Sequence, residues 1–482
     1  MDKLTVIAVT LVAYKLVLIG IGLWASSRNR DHADFFLGGR QLGPVVAAIS
    51  YASSASSAWT MLGVSGAAFV LGVSVIWIAL GSFTGMLVAW FWIGRRLMHH
   101  SRIHDQITLT DFLVQDATGR MRRLIVAAAS VIIVFSFVFY VAAQFQGAGN
   151  TFSATFDMSM SSSIVLGGLI IMIYTLLGGF WAVSVTDTIQ GSLMAATAIL
   201  LPAAAVIEAG GFGGLVEGLQ QVGTPQQLSL TFGNAGWVAA GIILGGLGIG
   251  FGTYGQPHLL VRFMALRDDR ALSQARVITV VWYAVVFVGM MVLGLAGHVM
   301  MRDLGNPETV FFELIELLFS PVVGAVLLAA VLSAIMSTAD SQLLVAASAV
   351  VHDLGVGGRR ARRGLWVSRL AVVVLVVLAI AVAVFLPERI FSRVLFAWTA
   401  LGAAFGPTVF ARLTGRRIAP VAVLASIVTG FALAVVLFLL PNAPGDVAER
   451  VVPFFASALV LLSLNRKGAA RPAAGPEAGV SP

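Results

Sequence analysis

Long apolar runs recur along the whole chain, each bounded by charged residues or by Gly and Pro. They fall at about 4–25, 42–69, 73–94, 122–149, 163–178, 188–208, 236–255, 277–300, 318–350, 367–386, 394–411, 418–440 and 451–465. A helix needs about 20 apolar residues to cross a hydrocarbon core, and in lipid a segment must satisfy its own backbone. The pattern predicts an all-α integral membrane protein of about thirteen spans, with residues 1–465 as one transmembrane domain. Two runs, 42–69 and 318–350, are longer than one crossing requires. Beyond Asn465 the apolar period stops, and 466–482 is expected to be a disordered cytoplasmic tail.

Composition supports the same class. Of 482 residues, 59% are hydrophobic and 11% charged, where soluble domains carry roughly 25% charge. The net charge of +8 would suggest nucleic acid in a soluble protein, but here it is a matter of topology. Of the 30 Lys and Arg, all but Lys3, Lys15, Arg302, Arg389, Arg393 and Arg450 fall on the set of loops that includes the C-terminus. Basic residues mark cytoplasmic loops, so the C-terminus is expected in the cytoplasm, the N-terminus outside, and the inner cell membrane as the location. Cysteine is absent, which excludes disulfides and thiol chemistry. The first apolar run is too long for a cleavable leader and ends at Arg28 and Arg30.

Three segments place polar chemistry inside the bilayer. Between Ser50 and Ser57 five of eight residues are serine, in the second span; small hydroxyls tolerate an unwound backbone, although they also suit close helix packing. Between Gly241 and Gly255 seven of fifteen residues are glycine, followed by Gln256, Pro257 and His258. That composition predicts an interrupted seventh span, with packing glycines as the alternative. The two segments lie five spans apart and so run in opposite directions. Paired interruptions in inverted halves point to a transporter's binding site. In the ninth span Ala334, Ser337, Thr338 and Ser341 share one helical face. Their hydroxyls and exposed carbonyls suit a hard cation.

Asp340 in that span and Asp187 at the start of the sixth are the acidic residues placed at or within spans. Intramembrane carboxylates are functional candidates, and these two are expected to face a shared interior neutralised by a cation. For Asp187 the alternative is a solvated helix cap. Lys15, alone on the first span, reads as snorkelling or capping a carbonyl. The histidines show no ligand spacing with carboxylates, and no phosphate loop or nucleophile elbow is present. The chain therefore reads as no enzyme, driven by an ion gradient rather than by ATP.

The segments Phe36 to Pro44, Gly178 to Gln190, Gly255 to His258 with Arg262 to Ala265, Ser337-Thr338 and Gly402 to Pro407 strongly resemble the sodium:solute symporter family, most of all its proline-transporting branch. The resemblance is collinear from about residue 30 to 465. It implies a leucine-transporter-type fold with a 5+5 inverted repeat, here about 42–208 and 236–411, and Na+ as the co-transported ion. Carried over, the main sodium site falls on the carbonyls of Ser53, Ser56 and Ala334 and the hydroxyls of Ser337 and Thr338. A possible second cation site, for Na+ or a proton, falls on Asp187, Asp340 and Ser341, with Ser337 beside them.

The solute site departs from the branch. Its Asp between two serines is Ala55 here, a following Gly is Ala58, and its Trp and Tyr on the seventh span are Ile249 and Thr253, while Pro257 is retained. Ser57, Ala58, Tyr140, Gln144, Phe251, Thr253 and Pro257 are the candidate solute-binding residues. An opened helix end presents amides to an anion, so the expected cargo is an amino acid like proline or another small carboxylate. The expected partners are that solute, Na+ and the lipid bilayer, with no nucleic acid and no obligatory protein partner. The alternatives are a proton-coupled or uncoupled carrier of the same fold, and a solute-binding membrane sensor.

Overall fold

The computed structural model describes residues 3–26, 37–177, 180–301, 303–355, 361–386, 388–441 and 443–469. Its long helices are α1 (Lys3–Ser26), α2 (Pro44–Ala58), α3 (Ile76–Val88), α4 (Gly119–Phe156), α5 (Met160–Leu177), α6 (Phe180–Glu208), α7 (Gly236–Gly252), α8 (Pro257–Ala265), α9 (Asp269–Met300), α10 (Pro321–Ser348), α11 (Ala361–Phe385), α12 (Ile390–Leu413), α13 (Pro420–Leu439) and α14 (Val447–Ala469). Among the described residues, eleven helical runs are long and apolar enough to cross a membrane, and Met160–Ile173 is a shorter apolar helix. One run, Pro44–Ile103, holds 60 residues. As a single rod it would reach roughly 90 Å, three times the hydrocarbon thickness. It is broken instead at Gly72, whose φ of 58° places it in a conformation that favours glycine.

Burial sorts the helices into an interior and a lipid-facing rim. The spanning windows of α10 and α12 are 83% and 89% buried, against 17% for α1. α10 touches α1, α2, α4, α6 and α11, while α2 packs on α6, α9 and α10. The polar segments of the second, sixth and ninth spans therefore meet in the centre. The sixth span begins earlier than the hydrophobic pattern suggests, at Phe180, so Asp187 stands two turns inside α6 and is no helix cap.

The glycine run of the seventh span behaves differently from expectation. Residues 236–252 are a continuous helix, and the glycines let it approach its neighbours. A Cβ on Gly246 would meet Trp77 Cβ at 2.6 Å, one on Gly250 the Gly81 carbonyl at 2.6 Å, and one on Gly255 the Leu401 carbonyl at 2.1 Å. The expected interruption comes only at the end of the run, at Thr253–Gln256. Pro257 is its cause, since proline lacks an amide donor and drives the preceding residue to extended backbone. Gln256 has φ −77° and ψ 106°.

The tail expected at 466–482 lies mostly outside the described residues, though α14 continues to Ala469. Gly178, Gly179, Arg28 and Arg30 also lie outside them.

Gly255→Ala should push α12 away and lower the protein's melting temperature in detergent, an overpacking cost of about 1–3 kcal/mol. Gly213 has no atom near its would-be Cβ, so Gly213→Ala should leave the melting temperature unchanged or raise it.

Candidate cation and solute sites

α2 opens at Ser57, where φ is 22° and ψ −173°, a rarely populated conformation for a residue with a Cβ. The chain then resumes as a π-helical turn over Trp59–Val64. Side chains answer the groups this frees. Gln144 Oε1 accepts from the Ala58 amide at 3.0 Å, Ser57 Oγ accepts from the Trp59 amide at 3.1 Å, and the Tyr140 hydroxyl donates to Ser57 Oγ at 3.5 Å. At the second break the Gln256 amide nitrogen donates to the carbonyls of Gly252 and Trp398, both at 3.0 Å. Sequence reasoning missed Gln256 and Trp398. A glutamine beside a helix-breaking proline is the signal that could have found the first.

The five residues expected at the main sodium site come to one interface. Ser53 and Ser56 lie just before the Ser57 break on α2, and Ala334, Ser337 and Thr338 face them from α10, all buried. Thr338 Oγ1 donates to the Ser54 carbonyl at 3.1 Å, and Ser54 Oγ donates to the Ser337 carbonyl at 3.3 Å. Ser337 Oγ donates to the Ala334 carbonyl at 3.5 Å. Ser56 Oγ is buried without a hydrogen-bond partner. The set offers only hydroxyl and carbonyl oxygen, the chemistry that hard cations take, and these hydroxyls face protein, not lipid.

The second site is organised differently from the expectation. Asp187 and Ser341 are brought together, but a guanidinium lies between them. Arg262 Nη2 donates to Asp187 Oδ2 at 3.0 Å, Ser341 Oγ at 2.6 Å and Ser54 Oγ at 2.9 Å, and its Nε donates to Ser50 Oγ at 3.0 Å. Its Nη1 donates to the His258 carbonyl. Ser50 and Ser54 also donate to Asp187 Oδ2, at 2.7 and 3.3 Å. Asp340 is on another face of α10, where Oδ1 accepts from Thr175 Oγ1 of α5. Lys15 does not snorkel, because its Nζ rests against Met336 Sδ on α10. Arg262, counted among loop charges in the sequence pattern, is 1% exposed.

The candidate solute residues divide into two groups. Ser57, Ala58, Tyr140 and Gln144 converge on the first break, and Tyr140 and Thr253 line a cavity with Ala55, Trp59, Tyr283 and Trp398. The cavity has room for about one water molecule, so a solute enters only with movement. Phe251 does not line it, and stacks instead on Phe454 at 4.9 Å between centroids, because consecutive helical residues point in different directions. Pro257 borders a separate cavity, with Phe180, Val261, Leu344 and Asp353.

Beside that second cavity the short helix Leu109–Leu113 is capped by Thr108 and tied to the end of the ninth span. Thr108 Oγ1 donates to Asp353 at 3.1 Å, and His352 lies 3.6 Å from Asp111. Burial pushes the Asp111 carboxyl up, but His352 and the amides of Ile107 and Thr108 outweigh it and hold it below the usual range.

The model of the sodium:solute symporter family matches residues 35–430. The chain is 36% identical over 438 residues to the sodium/proline symporter of Escherichia coli, covering 88% of this chain and 86% of the relative. It is 33% identical to the high-affinity proline transporter of Bacillus subtilis, covering 91% and 95%. Among solved structures, an outward-open Na+-coupled sialic acid symporter superposes with a TM-score of 0.79 at 15% identity, covering 96% and 98%. The transporter MhsT in complex with L-phenylalanine gives 0.55 at 14% identity, covering 88% and 99%. At such identities these structures speak for the fold, which is the leucine-transporter type with its 5+5 inverted repeat.

Gln144→Leu removes the acceptor of the Ala58 amide at the opened helix and leaves that amide buried and unpaired. The expected cost is about 1–3 kcal/mol, read as a rise in the solute KM of about 5- to 150-fold in uptake assays, with protein abundance in the membrane unchanged.

Proposed function

The chain belongs to the sodium:solute symporter family, and from that premise we propose that it imports proline or a closely similar small carboxylated solute together with Na+, by alternating access. The observation that carries this reading is the meeting of an opened helix at Ser57 with the hydroxyl face of α10 at Ser337 and Thr338. Na+ would take the carbonyls of Ser53, Ser56 and Ala334 and the two hydroxyls. Bound there, the ion would hold the break in the geometry that sets the Ser57 and Gln144 side chains beside the solute. The solute body would lie against Trp59, Tyr140, Tyr283 and Trp398, with Ser57, Gln144 and Thr253 as polar contacts. Aromatic walls and one polar end fit a small cyclic amino acid better than a charged or extended one.

In this reading the inverted repeats run about 42–208 and 236–411, within about thirteen crossings. The protein sits in the inner membrane with its N-terminus outside and its C-terminus in the cytoplasm. The positive-inside distribution of Lys and Arg supports that orientation. One Na+ moving down 100 mV supplies about 2.3 kcal/mol, and a tenfold gradient adds about 1.4 kcal/mol. Together these sustain a solute gradient of several hundred-fold at a single Na+ per turnover.

Purified protein in proteoliposomes should accumulate labelled proline under an imposed Na+ gradient, and not under an imposed H+ gradient or none. Ser337→Ala with Thr338→Ala should raise the Na+ concentration needed for half-maximal uptake by at least about tenfold. Uptake driven equally by H+ would replace this reading with a proton-coupled carrier, and intact Na+ dependence in the double variant would remove the ion assignment.

A further inference from the structure

We propose that Asp111, His352 and Asp353 form a binding site for a divalent transition-metal ion such as Zn2+, which staples the end of the ninth span to the short helix Leu109–Leu113. The inference goes beyond the transport reading, whose ion and solute sites lie elsewhere in the protein.

One ligand atom from each of the three side chains lies within 4.8 Å of the other two, an arrangement that no other three His, Asp or Glu side chains share among the described residues. Zn–N and Zn–O bonds of about 2.0–2.2 Å at tetrahedral angles set ligand atoms about 3.3–3.6 Å apart. His352 Nε2 and Asp111 Oδ2 already stand 3.6 Å apart, so the set closes on an ion through small side-chain rotations. An imidazole with two carboxylates favours a borderline first-row metal over Na+, Mg2+ or Ca2+, which take oxygen ligands. The two carboxylates also cancel the charge of the ion. Spacing along the chain conceals the group, because Asp111 arrives from a loop far from the ninth span in sequence.

The surroundings suit such an ion. The amides of Ile107 and Thr108 donate to Asp111 Oδ2 at 3.3 and 3.2 Å, and Thr108 Oγ1 donates to Asp353 Oδ1 at 3.1 Å. Hydrogen bonds of this kind orient ligating carboxylates. His352 and Asp353 lie on the π-helical turn Ala349–Asp353 that ends the ninth span, where the carbonyl ends of a helix favour positive charge. Asp353 also lines a cavity with Thr108, Thr110 and Ser348 that has room for about two water molecules. Ser348 is 4% exposed, and its hydroxyl has no hydrogen-bond partner. A water held there by Ser348 would complete a tetrahedral shell of three protein ligands. The Asp111 and His352 side chains are 24% and 32% exposed, which leaves the ion a path from solvent.

The test measures Zn2+ bound to the tag-free full-length protein in detergent, by competition with a fluorescent chelator. The wild type should bind one ion. His352→Ala on the ninth span and Asp111→Asn on the loop should each weaken binding at least about tenfold; the asparagine keeps an oxygen for the amides of Ile107 and Thr108, so the helix cap survives. His104→Ala should bind as the wild type does. If His352→Ala folds poorly, His352→Cys decides. The protein has no cysteine of its own, so a thiolate-to-Co2+ charge-transfer band in that variant loaded with Co2+ can come only from position 352. A wild type that binds no Zn2+, an affinity unchanged in His352→Ala, or a cysteine variant without the band would overturn the proposal. Loss of binding in His104→Ala would do the same, moving the ion to the stacked rings of His100 and His104. None of these readouts uses solute or Na+, so their failure is distinct from failure of the symport reading.

Discussion

A lipid core offers no water to a backbone amide or carbonyl, so each residue at which a buried helix opens must be answered by another part of the chain. The architecture follows from that constraint. The Ser57 break frees amides that Gln144 of α4 and the hydroxyl of Ser57 receive. The Gln256 break frees the Gly252 carbonyl, to which the Gln256 side chain donates while also donating to the Trp398 carbonyl of α12. An opening in one helix therefore fixes the position of others: the first break ties α2 to α4, and the second ties the seventh span to α12. Irregular backbone, where it is allowed at all, becomes the place where ions and solutes find unspent hydrogen-bonding capacity.

Buried charge obeys the same rule more severely, because an unpaired ion costs more than an unpaired dipole. Asp187 collects Ser50, Ser54 and Arg262, and so ties α6 to α2 and α8. Ser341 adds α10 to the same knot. These contacts join the segments flanking both breaks to the helix that carries the Ser337 and Thr338 hydroxyls. Movement of α8 relative to α2, α6 and α10 must therefore break or carry along these bonds. The cavity beside Trp59, Tyr140 and Trp398 holds little more than a water, which fits a protein that encloses its cargo by moving helices.

Much of this was legible in the chain before any coordinates. The apolar runs announced spanning helices because a single length, set by bilayer thickness, governs them all. The serines of 50–57, the Ser337-Thr338 pair and the two carboxylates stood out because polar groups are rare at that depth, and all of them lie inside the protein. The glycines of 241–255 misled, since glycine permits both unwinding and close approach and composition does not distinguish the two. Proline 257 was the sounder marker, as its ring dictates backbone geometry whatever surrounds it.

Partnership was what the sequence could not determine. Arg262 looked like one more basic residue beside a cytoplasmic loop, Lys15 like a snorkelling side chain, and Phe251 like part of a solute pocket. Each assignment turned on direction: which way a helix resumes after a break, and which neighbour lies within a few ångströms. Local pattern sets where helices are and which residues cannot face lipid, because those follow from periodicity and transfer cost along one segment. Only the tertiary structure decides which cation answers which carboxylate, since that pairing joins residues 75 positions apart in the chain through space alone.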